Sequence, residues 1–499
     1  PVAAVLTPAP VEDTELNPAT TPPVVMLLID EMPIAMIEKR PGVIDAGRFP
    51  NLARLSRQST WYQNAISPSD STVIAAPTLL AGKVPMNSDT PPGSPDYPDN
   101  FFTVLDRSGY DVYGNEWITD LCPHDVCPRT RGLGSRLTRL LTNGWEFGRP
   151  IPLPNGRDLR EAALFRDRHD PLPGQAERVD DFVEAIEVGE NSALLLHVML
   201  PHVPWVYLPD GRIMNGNSAT AELLGEENDV KGQLQRMMLQ AEFLDSQIGR
   251  VIRTMKQAGI WEQSLFIAVA DHGATMQAGL PRRQATPENV GWVLPVPLFI
   301  KYPGQPRGKT AKRPVSSSNL MPTFYEVLGL QPDDESLDPA TRSLNSDQPP
   351  LTEVDVITTL GEPFSVPTAE VARQFRRAVT HVNSLFPATS IYVGGGKGNL
   401  LGEPVAGQKS LKRLEFTSDE PDLYDDVDLA APTLPVFITG VVSRSGLTTE
   451  SSLVIAVNDQ AAGTTKPWES GGTFRITAIA DPNAFRNGLN EVEIYRVSR

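Results

Sequence analysis

Three segments place ionisable side chains directly after an apolar run. Asp30 and Glu31 follow VVMLLI (24–29), Asp271 and His272 follow LFIAVA (265–270) in the string ADHG, and His202 follows ALLLHVM (193–199) in LPHVPW. Carboxylates and imidazoles are the groups that hold divalent cations, and an imidazole also moves protons near neutral pH. A fourth segment, NAISPSDSTVIAAPTLLAGKVP (64–85), sets Ser67, Ser69, Asp70, Ser71 and Thr72 ahead of a run of small residues. Each feature has a second reading. An Asp that ends a strand can cap a helix, and so can a Ser/Thr cluster. His202 can cap a turn between its prolines. His197, inside its apolar run, reads as a hydrogen-bonded core histidine.

These residues need a scaffold that gathers chain ends. VVMLLI, ALLLHVM, LFIAVA and VPLFIKY (296–302) are short, continuous apolar runs. Such runs suit strands of a parallel sheet buried on both faces. Between them lie helical patterns, the clearest over 234–258. There Leu234, Met237, Met238, Ala241, Leu244, Ile248, Val251, Ile252 and Met255 recur at three- and four-residue spacing, and Gly259 follows as a cap. Alternating strands and helices predict an α/β domain whose ligands collect beyond the carboxyl ends of the strands. That domain is expected over residues 24–335. Residues 336–365 are polar and Pro-rich and read as a linker, and a helix is expected near 367–382. The runs VFITGVVS (436–443), LVIAVN (453–458), FRITAIA (474–480) and EVEIYRV (491–497) then follow without an intervening helix. They predict a small antiparallel β-sandwich within 366–499.

Composition narrows the function. Of 499 residues, 44 are Lys or Arg and 61 are Asp or Glu, a formal net charge of −17. Such a chain lacks the clustered cations that general nucleic-acid binding needs, so no nucleic-acid partner is expected. No apolar run approaches the ~18 residues of a membrane helix. The first 23 residues are Pro-rich and read as an extended tether. The chain starts at Pro1 rather than Met, which leads to the expectation of an anchor upstream of residue 1. The only two cysteines, Cys122 and Cys127 in LCPHDVC, read as a close-range disulfide and hence an oxidising compartment. A zinc site there with His124 would have only three ligands.

Taken in order, the strand ending in Asp30, the hydroxyl cluster leading to LLAGK, the string HVMLPHVPW, the strand ending in ADHG and the string PLFIKYPG resemble the sulfatase branch of the alkaline phosphatase superfamily. NLMPTFYEVLGL (319–330) looks like the closing helix of that domain. The resemblance covers about residues 24–330. It is greatest to sulfatase-domain proteins of actinobacterial envelopes, where the domain follows membrane helices. It implies an α/β/α sandwich, here with a C-terminal β-sandwich, and an extracytoplasmic location.

The resemblance also assigns roles. In sulfatases the nucleophile lies ten residues before a Gly, here Gly82, which selects Thr72 over Ser71. A sulfatase has Cys or Ser there, with Pro or Ala two residues on and Arg four on, so that formylglycine can form. This chain has Thr72, Ile74 and Ala76. A threonine instead resembles phosphotransferase relatives such as lipoteichoic acid synthases and lipid A phosphoethanolamine transferases. By this likeness Asp30, Asp271, His272 and Thr72 hold one divalent metal, zinc or manganese rather than calcium, and Thr72 is the nucleophile. His202 binds the transferred group or protonates the leaving group. Arg282 and Arg283 stand where sulfatases carry a lysine and would bind substrate. Glu31 occupies the place of a further acidic ligand. Only six histidines are present, too few well-placed ones for a second zinc. The expected activity is that of a metal-dependent phosphoester hydrolase or phosphoryl transferase acting on a phosphorylated envelope glycan or lipid. The alternatives are a sulfatase working without formylglycine and a non-catalytic binding protein that keeps the fold. Lys301, within the run VPLFIKY, reads as structural.

Overall fold

The computed structural model describes residues 21–85, 92–116, 118–127, 175–186, 192–215, 227–332, 337–347, 349–358, 363–386, 390–394, 398–444 and 446–498. Most of the expected tether lies outside them. The site is built on a sheet of seven strands: β1 (Val24–Asp30), β2 (Thr60–Tyr62), β3 (Asp111–Asn115), β4 (Ser192–Pro201), β5 (Leu265–Ala270), β6 (Leu298–Lys301) and β7 (Lys309–Ala311), in the order β7-β2-β6-β5-β1-β4-β3. Every residue of β1, β4 and β5 is buried, as continuous apolar runs require when both faces are covered. Strands β3, β4, β1 and β5 are mutually parallel.

The parallel expectation fails at β6, which runs antiparallel to both β5 and β2. The cause is the connection. Residues 271–297 contain one four-residue helix, Val290–Val293, and no crossover helix long enough to carry the chain back to the far end of the sheet. The chain leaves β5 and folds across the carboxyl ends. It then re-enters at the same end, which keeps the whole connection beside the site.

Five longer helices complete the scaffold: α1 (Thr72–Ala81), α2 (Gln175–Ile186), α3 (Glu227–Gln257), α4 (Leu320–Leu328) and α5 (Thr368–Leu385). Helices α2 and α3 pack on β4, and α1 packs on α4. The Met/Leu stripe of α3 is core, and Gly259 takes the left-handed conformation with φ +76°. Helix α1 begins at Thr72 although Pro77 lies inside it. The proline removes only the bond its N–H would make to Val73, and every residue of α1 is buried, so packing holds the helix past that gap. Gly82 caps α1 at φ +67°, and a Cβ there would meet Leu337 Cδ2 at 2.5 Å.

Residues 336–365 do more than link. Asp338 N–H donates to Gly82 O, Ile357 N–H donates to Pro68 O, and Glu353–Val356 pairs antiparallel with Phe364–Pro367. The segment is therefore laid against the hydroxyl loop. The C-terminal sandwich has two four-stranded sheets, all antiparallel: Leu411–Leu414, Val492–Val497, Leu453–Val457 and Gln460–Thr465 against Phe416–Ser418, Phe437–Val442, Thr473–Ile479 and Trp468–Ser470. It is packed on the α/β part rather than tethered to it. Thr433–Leu434 pairs with Ile213–Met214, Asn215 and Phe437 exchange two hydrogen bonds, and Arg236 stacks over Phe437. Among the described residues no helix is long and apolar enough to cross a membrane.

Candidate active site

Strands β1, β4 and β5 are neighbours, so their carboxyl ends deliver Asp30, His202 and Asp271–His272 to one place. Helix α1 points its first residue at the same spot. Thr72 Oγ1 is 3.5 Å from Asp30 Oδ1 and 3.3 Å from His272 Nε2. Asp271 Oδ2 is 3.7 Å from His272 Nε2. Asp30, Thr72, Asp271 and His272 are all fully buried. The four residues assigned by position thus converge, and Ser71 is the N-cap residue, one place outside the helix.

Local hydrogen bonds fix these groups. Asp271 Oδ1 accepts the N–H groups of Glu31 and His272 at 3.0 and 2.7 Å, which leaves Oδ2 as the free oxygen, buried and without a hydrogen bond. Burial raises the Asp271 pKa above the usual carboxylate range. The His272 Nδ1–H donates to Gly273 O at 2.9 Å, so Nε2 presents its lone pair to Thr72 and Asp271. Gly273 is required there: a Cβ would lie 2.3 Å from Trp292 O.

A second cluster adjoins the first. Glu31 is a non-glycine residue at φ +58°, and its carboxylate is buried. Arg282 pairs with Glu31 Oε1, Arg283 Nε is 3.5 Å from Oε2, and His202 Nε2 is 3.4 Å from Oε2. Burial alone would raise the Glu31 pKa, but Arg282, His202 and Arg283 outweigh it and hold it down to about 2. Glu31, read as a further acidic ligand, anchors the two arginines, and its carboxylate also lies within 4.8 Å of ligand atoms of Asp30 and His202. Arg282 also lies over the Trp205 ring at 5.8 Å. Arg283 reaches further, with its NH2 group 3.2 Å from His272 Nε2 and its NH1 group 3.4 Å from His202 Nε2. Asp70 Oδ2 accepts the Ala285 N–H at 2.8 Å and ties the arginine loop to the hydroxyl loop.

His202 sits on a braced turn. Its Nδ1–H donates to Val203 O at 2.6 Å, and its own carbonyl accepts from Gln240 on α3. Burial lowers its pKa to about 4, so it is neutral at pH 7 in the free protein, with the Nε2 lone pair facing Arg283.

His197 differs from its sequence reading. It is buried in β4 with neither ring nitrogen hydrogen-bonded, and Nε2 is 3.7 Å from Asp30 Oδ2. Ligand atoms of Asp30, His197 and Asp271 all lie within 4.8 Å of one another. A lone histidine in an apolar strand looks like core. Only its register beside β1, where it pairs with Leu28 two residues before Asp30, reveals its position. Lys301 is structural, donating to Trp261 O and Glu262 O. Cys122 and Cys127 form a disulfide with Cα atoms 6.0 Å apart.

The donor set fits a divalent cation. Three buried carboxylates, Asp30, Glu31 and Asp271, face two guanidiniums, which leaves one negative charge unbalanced if all three ionise. Buried like charges at this range require either a proton or a cation. Two carboxylates, imidazole nitrogen and a hydroxyl form a mixed N/O set, of the kind that suits zinc or manganese.

A mixed sheet flanked by helices, with this cluster at its strand ends, is an α/β fold whose candidate site lies beyond the carboxyl ends of the strands. The sulfatase family model matches residues 22–330, more than half of the chain, and the chain belongs to that family. An ulvan-active sulfatase of Formosa agariphila is 23% identical over 303 residues, which are 57% of this chain and 57% of that relative. The chain thus spans little more than half the length of that relative. Among solved structures, a 2-O GAG sulfatase is 13% identical with a TM-score of 0.47, covering 67% of this chain and 77% of the other. A phosphonate monoester hydrolase of Agrobacterium radiobacter is 16% identical with a TM-score of 0.46, covering 74% and 95%.

Proposed function

We propose that this chain is a metal-dependent phosphoester hydrolase or phosphoryl transferase whose nucleophile is Thr72. One observation carries the reading: the hydroxyl of Thr72, which the resemblance puts at the nucleophile position, faces Asp30 and His272, with Ile74 and Ala76 following where a formylglycine signature would stand. A cation held by Asp30, Asp271, His272 and Thr72 would supply the Lewis acidity that makes a hydroxyl nucleophilic at neutral pH. Thr72 also opens a ten-residue helix, whose N-terminal N–H groups and dipole favour an anion.

Thr72 Oγ1, having lost its proton to solvent, attacks phosphorus. The new Oγ1–P bond forms as the ester P–O bond breaks, and the leaving oxygen takes up a proton. Water, or an acceptor hydroxyl in a transferase, then displaces Thr72 from the phosphoryl group. Arg283 binds the phosphoryl oxygens and Arg282 holds Glu31 in place beneath it. His202 orients Arg283 through Nε2. It can protonate a leaving group only after that nitrogen gains a proton, which an incoming dianion and Glu31 both favour.

The substrate class we propose is a phosphorylated glycan or lipid of the cell envelope, met outside the cytoplasm. The Cys122–Cys127 disulfide supports an oxidising compartment, and the resemblance to envelope proteins supports the substrate. Family membership favours sulfate esters as the second reading. Aryl phosphate mono- and diesters assayed against aryl sulfate, with zinc or manganese added, separate the two. Turnover confined to the sulfate ester would defeat the proposal.

A further inference from the structure

We infer that His197 is a fifth ligand of the metal, so that the cation is held by two imidazoles, from His197 and His272, with the oxygens of Asp30, Asp271 and Thr72. The inference rests on the metal-site reading above and extends it to a residue outside the four assigned by position.

The starting point is a local inconsistency. Strand β4 is apolar on both faces from Ala193 to Leu200 except at His197. Leucine there would simply continue the run. An imidazole buried without hydrogen bonds loses its hydration and gains nothing in exchange. The backbone cannot help, because in a sheet interior its N–H and C=O groups are committed to the ladder. The His197 carbonyl is further occupied by Arg178, which donates to it at 3.0 Å. Both ring nitrogens therefore lack a partner in the protein itself.

What the ring faces is specific. Leu28 pairs with His197 in the parallel register, and the ladder shifts between Ile29 and Asp30. That irregularity brings the Asp30 carboxylate over the His197 ring, at 3.7 Å from Nε2 to Oδ2. The gap is too long for a good hydrogen bond. It is an ordinary spacing between two donors that share one cation, each about 2.0–2.2 Å from a zinc ion. Asp271 Oδ2, a buried oxygen without a hydrogen bond, closes the group within 4.8 Å. Asp30 would thus be approached from two sides, with Thr72 beside Oδ1 and His197 beside Oδ2. One cation gives a partner to the His197 ring and to Asp271 Oδ2 at once, and adds the positive charge that the carboxylates lack. A histidine acting from outside the coordination sphere would instead donate a hydrogen bond to a ligand carboxylate, and no such bond is present.

Affinity alone does not decide the matter, because removing a supporting residue also weakens metal binding by about 10–100-fold. The deciding readout is the number of imidazoles on the ion. In protein loaded with cobalt(II) in place of zinc, each bound imidazole gives one exchangeable, paramagnetically shifted N–H resonance. Two are expected in the unmodified protein and one in His197→Leu, with at least a tenfold loss of cobalt affinity. The melting temperature supplies a second test. His197→Leu should leave metal-free protein as stable or more stable, and should reduce the rise that metal produces in the unmodified protein. His197→Asn serves if the leucine variant does not fold, since it also removes one imidazole signal. A single shifted N–H in the unmodified protein, or two that survive in the variant, overturns the assignment of His197 while leaving the metal site standing. Failure to bind cobalt at all overturns both.

Discussion

The strand ends of the main sheet and the C-terminal sandwich follow opposite rules. In the sandwich, Phe437–Val442 alternates half-buried and buried residues along its length, and Thr473–Ile479 does nearly the same. Ion pairs such as Arg444–Glu469 and Lys466–Glu450 lie on its surface. At the strand ends, Asp30, Glu31, Asp271, His197, His202 and His272 are all buried together, and Glu31 has a positive φ. Side-chain patterning specifies these two strands of the sandwich. Under the proposal above the strand ends hold a cation, and their stability should depend on it.

The largest effect that sharpens this contrast is chemical. Thr72→Ala should lower turnover by at least ~10³-fold, about 4 kcal/mol of transition-state stabilisation, while folding and metal content persist. Ser71→Ala should change turnover little. The opposite ranking in a steady-state assay would refute the register that selects Thr72.

Metal removal should act on one region and spare the other. A cation at 100 times its dissociation constant adds about 2.7 kcal/mol. Chelation should therefore lower the melting temperature of the α/β part by roughly 5–10 °C, and zinc or manganese should restore it. Asp271→Asn combined with His272→Ala should abolish the response. Equal losses of hydrogen-exchange protection in the sandwich and at the strand ends on chelation would erase the distinction drawn here.

Two buried glutamates give an internal control of comparable size. Glu31, beside two arginines, is held down to about 2. Glu38 has no such partner: burial pushes it up to about 8, against one hydrogen bond from the Gly42 N–H. A raised carboxyl pKa means that the folded state binds the proton more tightly. Stability from this group is full below the ordinary value of 4.5 and declines as pH rises toward 8. Glu38→Gln keeps an acceptor for Gly42 and should remove that decline, adding on the order of 2–3 kcal/mol at pH 8 and little at pH 4. Denaturant melts at the two pH values check it. The smallest effect belongs to the sandwich surface, where Arg444→Ala should cost under about 1 kcal/mol.

Much of the site was legible because its residues end strands. An apolar run followed by Asp or His states both the element and the place where the side chain emerges, which placed Asp30, Asp271, His272 and His202. Counting back from Gly82 reached Thr72, which opens α1 although Pro77 lies inside that helix. The rest was hidden in pairings that no local pattern encodes. His197 became part of the cluster only through its parallel register with β1. The role of Glu31 depends on Arg282 and Arg283, some 250 residues away in sequence. The direction of β6 was set by a missing crossover helix, and the segment 336–365 by contacts with Gly82 and Pro68 that a polar composition does not announce.

The most direct test of the account is elemental analysis of protein purified without chelators. It predicts about one zinc or manganese per chain, lost when Asp271→Asn and His272→Ala are combined and retained in Thr72→Ala. Protein free of bound metal, or a doubly substituted variant that keeps its ion with unchanged affinity, would contradict the assignment of Asp30, Thr72, Asp271 and His272.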